Sequence, residues 1–470
     1  MQMLIAGEWM DKNEKIDVVD PFDQSKIDTV PRGSSEDVQR AVESAVQGAK
    51  TAKNMPVHKR TDILKKTASY VEKHKEEFAE TIAREGSKTI KEARGETFRC
   101  INTLTVAAEE VKRIAGETLP FDSIAGSENR TGYYYRFPIG IIAAITPFND
   151  PLNLVAHKLG PAIAGGNAVV LKPATVTPLS ALKLGQAFRE AGLPPHVLNI
   201  ITGYGREIGG DIVTDQRIRM ISFTGGLEAG IEISKKAGLK KLGMELGSNT
   251  PVIIMDDCDL EKAVELSVSG SFWAAGQNCI GVQRLLIQEK IYPGFVRQFV
   301  DRTKQYKTGD KLKEDTDMGP MITENEAKRI ESWVEEAIAG GAKVLSGHKR
   351  KGSIYPPTVL ENAPDGSKVD VDEVFAPVVS LYKFKTLDEA IDKANSVNFG
   401  LHAGIFTRDI HTAFKAVHGL DVGGVIINDS SDYRLDLMPF GGVKGSGLGR
   451  EGIKFALQEM TEPKVVCFNL

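Results

Sequence analysis

Cys279 and Glu245 are the residues of this 470-residue chain best equipped for chemistry. Cys279 closes Gly276-Gln277-Asn278-Cys279, directly after the apolar stretch Ser269 to Ala275. Glu245 stands 34 residues upstream in Met244-Glu245-Leu246-Gly247-Ser248-Asn249. A thiol with a carboxylate in reach is the start of covalent catalysis, the sulfur attacking and the carboxylate acting as base. Residue type alone leaves two bland readings open. A free cysteine is usually a small buried hydrophobe, and a glutamate usually a solvated surface charge.

The elements that must position this pair follow from the pattern. At 470 residues the chain exceeds what one core sustains, so at least two domains are expected. Helical periods fill residues 35 to 115, beginning with Ser35-Glu36-Asp37 ahead of an amphipathic run. From 139 onward, apolar β-rich runs alternate with helical segments: Gly140 to Ile145, Ala168 to Leu171, Met220 to Phe223. That alternation implies a parallel sheet covered on both faces. A second series runs from Pro251-Val252-Ile253-Ile254 to about 437, so the fold class is α/β with two such units. Residues 119–138 read as a hairpin-like excursion and Pro463 to Phe468 as a terminal strand. Their unpaired edges favour pairing with another subunit.

Composition narrows the function. With 41% apolar and 26% charged residues and a net charge of -4, nothing draws the whole molecule to nucleic acid or anionic lipid. The four cysteines are widely spaced, without a CxxC or Cys/His ligand pattern, so neither a disulfide scaffold nor a metal site is expected. No leader-like segment opens the chain and no run approaches the ~20 apolar residues of a membrane helix, so a cytoplasmic location is expected.

Seven motifs in order resemble the aldehyde dehydrogenase superfamily: Thr146-Pro147-Phe148-Asn149, Lys172-Pro173-Ala174, Phe223-Thr224-Gly225-Gly226, Glu245-Leu246-Gly247, Gly276-Gln277-Asn278-Cys279, Glu373-Val374-Phe375-Ala376-Pro377 and Met438-Pro439-Phe440-Gly441-Gly442. The resemblance spans the whole chain. It implies two Rossmann-like domains: a nucleotide-binding domain of 1–118 with 139–245, a catalytic domain of 246–453, and oligomerisation strands in 119–138 and 454–470. It also implies a homodimer or homotetramer. In the implied mechanism, the Cys279 thiolate attacks a small aldehyde, and the Asn149 amide and the Cys279 N–H stabilise the oxyanion. Glu245 then activates the water that releases the acid. From local sequence alone Asn149 is as readily a turn residue.

The expected cofactor is NAD or NADP. The usual GxGxxG fingerprint is absent, and Gly203 to Gly210 has the wrong spacing for it. The better candidate is Ser222 to Gly230, a strand running into a helix whose N–H groups face a pyrophosphate. The resemblance assigns cofactor contacts to Thr146, Pro147, Phe148, Lys172, Ala174, Thr175, Phe223, Thr224, Gly225, Gly226, Glu245, Leu246, Glu373 and Phe375. Among these, Lys172 would reach the adenosine ribose and Glu373 the nicotinamide ribose. Three positions depart from the family pattern. Thr175 replaces a glutamate common in NAD-preferring relatives, which removes repulsion against a 2′-phosphate. Ser248 and Ala376 each stand where the family usually has glycine.

Asn149 to Lys158 and Ile427 to Arg434 resemble the branch holding lactaldehyde, non-phosphorylating glyceraldehyde-3-phosphate, and phosphono- and sulfo-aldehyde dehydrogenases. An anionic tail there needs fixed cations. Arg434, Arg99 and His157 are the candidates, with Phe440 in the substrate wall. His157 is placed eight residues after Asn149, two helical turns on. The alternatives are Arg434 paired with Asp432 or Asp436, Arg99 paired with Glu96, and His157 a core histidine. Two other functions remain: a CoA-acylating enzyme, for which Glu245 has no task, and a non-catalytic structural relative.

Overall fold

The computed structural model describes residues 1–470. The strands of the first unit are Ile141–Ile145, Ala168–Lys172, Leu198–Ile200, Met220–Thr224 and Lys241–Glu245, and all five are mutually parallel. Ala168–Lys172 is buried along its length, as expected of a strand covered on both faces. The chain lays down Ile141–Ile145 first and builds outward to one side through Ala168–Lys172 and Leu198–Ile200. It then returns to the other side through Met220–Thr224 and Lys241–Glu245. The crevice where the winding reverses lies between Ile141–Ile145 and Met220–Thr224, where such sheets bind ligands.

The second unit also winds to one side and then to the other, although Thr358–Glu361 is laid down before Val378–Phe384 and lies outside it. Its parallel core is Thr358–Glu361, Val378–Phe384, Arg284–Gln288, Pro251–Ile254, His402–Phe406 and Gly424–Ile427 in spatial order, with antiparallel Lys343–Ser346 at one edge. A third, three-stranded sheet joins Thr461–Asn469 to Arg130–Pro138 over nine residue pairs, with Glu117–Leu119 beyond. Tyr135, Val465 and Phe468 remain exposed on it.

Two helices carry much of the site. Ile90–Glu110 starts at a capping box in which Thr89 and Glu92 satisfy each other's backbone N–H groups. Asn153–Ala164 is buried along all 12 residues and packs against it in the largest core. In the first helix of the chain, Ser35–Asn54, the cap is Ser34, with Asp37 closing the box. No helix is long and apolar enough to cross a membrane.

Three elements fall differently from the sequence reading. Gly447–Leu448, counted with the second unit, pairs antiparallel with Lys241–Glu245 in the first sheet. Helix Ile453–Glu459, counted with the terminal strand, contributes Ile453 and Leu457 to the first core. Met3–Ile5 and Glu8–Met10, too short to show a period, add two antiparallel strands beside Leu198–Ile200.

Candidate active site

The carboxyl ends of the first sheet meet the amino ends of the second. Thr146 to Asn149 leave Ile141–Ile145, Gly225 and Gly226 leave Met220–Thr224, and Glu245 ends its own strand. Facing them, Cys279 lies just ahead of Arg284–Gln288, and Asn249 just ahead of Pro251–Ile254. The second unit therefore offers the edge opposite to the one parallel sheets ordinarily use for ligands.

The backbone before the thiol is strained. Ala274, Ala275 and Gly276 are successive left-handed residues, with φ of 50°, 56° and 67°. For the two alanines this costs ~1–3 kcal/mol each, so the surroundings must enforce it. Glu92 does so from the start of helix Ile90–Glu110, accepting the Ala274 N–H at 2.8 Å. Gln277 adds two ties, donating to the Ala274 carbonyl at 3.1 Å and accepting the Ile322 N–H at 2.9 Å. At Gly276 a Cβ would collide with the Ala376 carbonyl, so the position admits glycine for space as well as for φ.

Cys279, Asn149, Arg99 and Arg434 line one cavity of about 320 Å³. Burial pushes the Cys279 thiol up to about 12; Arg434 draws it down, while Glu373, Glu245 and Glu451 oppose that. The resting sulfur is thus protonated. Glu245 is 4% exposed, and its Oε2 has no partner. Burial and the nearby Glu451 raise its carboxyl well above the ordinary range. It lines a separate small void with Lys158, Glu451 and Arg450. Burial would raise Glu451 as well, but Lys158 at 3.2 Å and Arg434 at 3.0 Å hold it down at about 2.

The ion pairs differ from the expected ones. Arg434 pairs with Glu451 rather than Asp432 or Asp436, and its guanidinium lies over the Phe440 ring at 3.6 Å. Arg99 reaches Asp436 at 3.0 Å and Asp150 at 3.5 Å, not Glu96. Glu96 instead takes Lys88 at 2.7 Å and the N–H groups of Leu152 and Asn153. His157 does not line the cavity. Its Nε2 is 2.9 Å from Asp436 Oδ1, deep in the core, so the placement as an anion ligand fails. The helix begins at Asn153, so Asn149 precedes it and the two-turn spacing does not apply. Phe440 lies beneath the floor, packed with Ile280 and against Cys279, and does not line the cavity either.

The expected cofactor positions include buried charges without full partners. Lys172 ends its strand 5% exposed; its ammonium donates only to the Pro173 carbonyl at 3.1 Å, and burial draws it down to about 8. Burial raises Glu373 to about 7, with one N–H, from Ser248 at 2.9 Å, on its carboxylate. Gly247 gives Glu373 room, because a Cβ there would strike the carboxylate. Thr146 and Thr224 hydroxyls are buried without partners. Thr175 Oγ1 donates to the Gly203 carbonyl at 3.0 Å, and Ala174 precedes it on the same turn. Helix Leu227–Ala237 follows Gly226, seated close because Gly230 leaves space for Leu246. Phe148 and Phe375 meet edge to face at 5.7 Å. Unspent donors and a carboxylate at these positions fit a nucleotide with hydroxyl and phosphate groups.

The sequence matches the aldehyde dehydrogenase family model over residues 9–466. The chain belongs to the aldehyde dehydrogenase family. It is 52% identical to aspartate-semialdehyde dehydrogenase 1 of Pseudomonas canavaninivorans, over 97% of both chains. It is 46% identical to 3-sulfolactaldehyde dehydrogenase of Priestia aryabhattai, over 100% of this chain and 98% of that one. Among solved structures, a glyceraldehyde-3-phosphate dehydrogenase from Methanocaldococcus jannaschii in complex with NADP superposes with a TM-score of 0.94 at 42% identity, covering 98% of this chain and all of that one. The protein is an NAD(P)-dependent aldehyde dehydrogenase of the branch that the motifs indicated.

Sequence reasoning missed Glu451 and Glu92, and offered Asp436 only to Arg434, whereas it holds Arg99 and His157. Glu451 and Glu92 each act by a long-range contact that no local pattern signals. The capping pattern Thr89 to Glu92 was a local signal for the last, but not for its reach to Ala274.

Proposed function

We propose that this aldehyde dehydrogenase oxidises a small, anion-bearing aldehyde to its carboxylic acid, with Cys279 as nucleophile, Asn149 as oxyanion donor and Glu245 as general base. The observation that carries the reading is the single cavity shared by Cys279, Asn149, Arg99 and Arg434. Sulfur bonds to the aldehyde carbon while the thiol proton passes to solvent, and the new alkoxide accepts from the Asn149 amide and the Cys279 N–H. The nucleotide, when bound, supplies the acceptor for the hydrogen and electron pair lost as the thiohemiacetal becomes a thioester. Glu245 then takes a proton from water, whose oxygen attacks the thioester; the S–C bond breaks and the departing sulfur takes that proton back from Glu245, which frees the acid and restores the thiol. Lys172 would hold the adenosine ribose and Glu373 the nicotinamide ribose, within a nucleotide-binding unit of 1–118 and 139–245, joined by Gly447–Leu448 and Ile453–Glu459, that faces a catalytic unit built on the rest of 246–453.

The named substrates of the three relatives end in a carboxylate, a sulfonate and a phosphate, which supports an anionic tail here. Arg99 and Arg434 are the cations at hand. The exposed apolar side chains of the three-stranded sheet support assembly as a homodimer or homotetramer.

Two outcomes check the assignments. Asn149→Ala lowers kcat by about 10²–10³-fold, the loss expected for one oxyanion donor. Thr175→Glu lowers kcat/KM with NADP about tenfold or more relative to NAD, since the new carboxylate repels a 2′-phosphate. Steady-state assays of reduced nucleotide on purified variants read both. An unchanged nucleotide ratio in Thr175→Glu would remove that residue from the ribose pocket.

A further inference from the structure

The cavity beside Cys279 holds carboxylates that recognition of an anion leaves unused. Asp150, Asp429 and Asp432 line it together with Arg99 and Arg434. Asp150 is matched by Lys88 and Arg99, whereas Asp429 and Asp432 form no ion pair. Gly270, in helix Leu260–Phe272, lets the Asp432 loop descend: a Cβ there would strike the Ser430 hydroxyl and lie 3.1 Å from Asp432 Oδ1. Burial without a counter-ion raises the Asp432 carboxyl above its ordinary range.

The same chamber has cations. Arg434 lines it while giving one nitrogen to Glu451. Arg99 lines it while holding Asp436 and Asp150. A plain anion would satisfy the arginines but sit among uncompensated carboxylates. A neutral aldehyde would satisfy neither group. A tail carrying both charges satisfies both.

We infer that the substrate is an α-amino-acid semialdehyde, its ammonium held by Asp432 and Asp429, its carboxylate by Arg99 and Arg434, and its aldehyde turned to Cys279. The assignment rests on the aldehyde-oxidation reading above. A compact amino-acid tail suits a cavity of about 320 Å³, at the small end of ligand pockets. Each acidic side chain then gains a charge-assisted partner at a site where water would otherwise have to solvate it.

The test compares kcat/KM for L-aspartate 4-semialdehyde with that for succinic semialdehyde, which lacks only the amino group. Wild type, Asp432→Asn and Asp429→Asn are assayed, with Cys279→Ala as blank. The wild-type enzyme should favour the amino substrate about 10- to 100-fold, the effect of one charge-assisted contact. Asp432→Asn should bring that ratio close to one, and Asp429→Asn should lower it in the same direction. A wild-type ratio of one or below, or a ratio kept in both variants, overturns the inference. If Asp432→Asn loses all turnover through misfolding, Asp429→Asn decides alone. Turnover of succinic semialdehyde alone would leave aldehyde oxidation standing and remove only the amino group, whereas no Cys279-dependent turnover of either probe would remove both readings.

Discussion

Replacing Glu245 by glutamine stops the enzyme after oxidation: each active site releases one equivalent of reduced nucleotide in a burst, and steady turnover then falls by about 10²–10⁴-fold. The amide keeps the shape of a side chain buried at the end of Lys241–Glu245, so the thiol, the oxyanion donor and the nucleotide crevice stay as they are. Only the ability to take a proton from water is removed. Burial and Glu451 already hold the Glu245 carboxyl well above its ordinary range, which suits a group that must accept a proton near neutral pH. Stopped-flow absorbance of the reduced nucleotide reads the burst and the slow phase separately. An enzyme that used CoA to resolve the thioester would show no slow phase when CoA is supplied to Glu245→Gln.

Removing the nucleophile has the largest effect. Cys279→Ala lowers kcat on the order of 10⁶-fold, as loss of the attacking group does in covalent enzymes. The wild-type pH profile carries a second signature. The Cys279 thiol is pushed up to about 12, so it is largely protonated at neutral pH before ligands bind, and burial beside Glu451 raises Glu245 as well. Each must lose its proton to act, and the thiolate is the attacking form. The free enzyme's kcat/KM therefore rises with pH across the neutral and mildly alkaline range. A profile that is flat or falls with pH would mean the sulfur is not the limiting group.

Much of this was legible in the sequence, for a local reason. Thr146 to Asn149, Gly225 with Gly226, and Gly276 to Cys279 sit at strand or helix ends, where short motifs dictate backbone shape and one loop suffices to place a side chain. The alternating apolar runs likewise give both parallel sheets, because strands buried on two faces cannot hide their composition. Partner choice was not legible. Arg434 passes over nearby Asp432 and Asp436 for Glu451, since the return of the chain to Gly447–Leu448, on the edge of the first sheet, brings Glu451 beneath the arginine. His157 failed for a different reason: helix Asn153–Ala164 starts four residues after Asn149, so the periodicity linking them was never present. The left-handed Ala274 and Ala275 had no signal at all, because alanine carries no mark of the conformation that Glu92 and Gln277 impose.

Catalysis passes through a thioester on Cys279 that Glu245 is needed to clear. Mass spectrometry of Glu245→Gln, quenched in acid after mixing with nucleotide and L-aspartate 4-semialdehyde or succinic semialdehyde, tests it directly. The expected result is one acyl group per chain, mapped to the peptide bearing Cys279, removed by hydroxylamine and absent when Cys279 is alanine. Full turnover by Glu245→Gln with an unmodified chain, or an acyl group on any other residue, would contradict it.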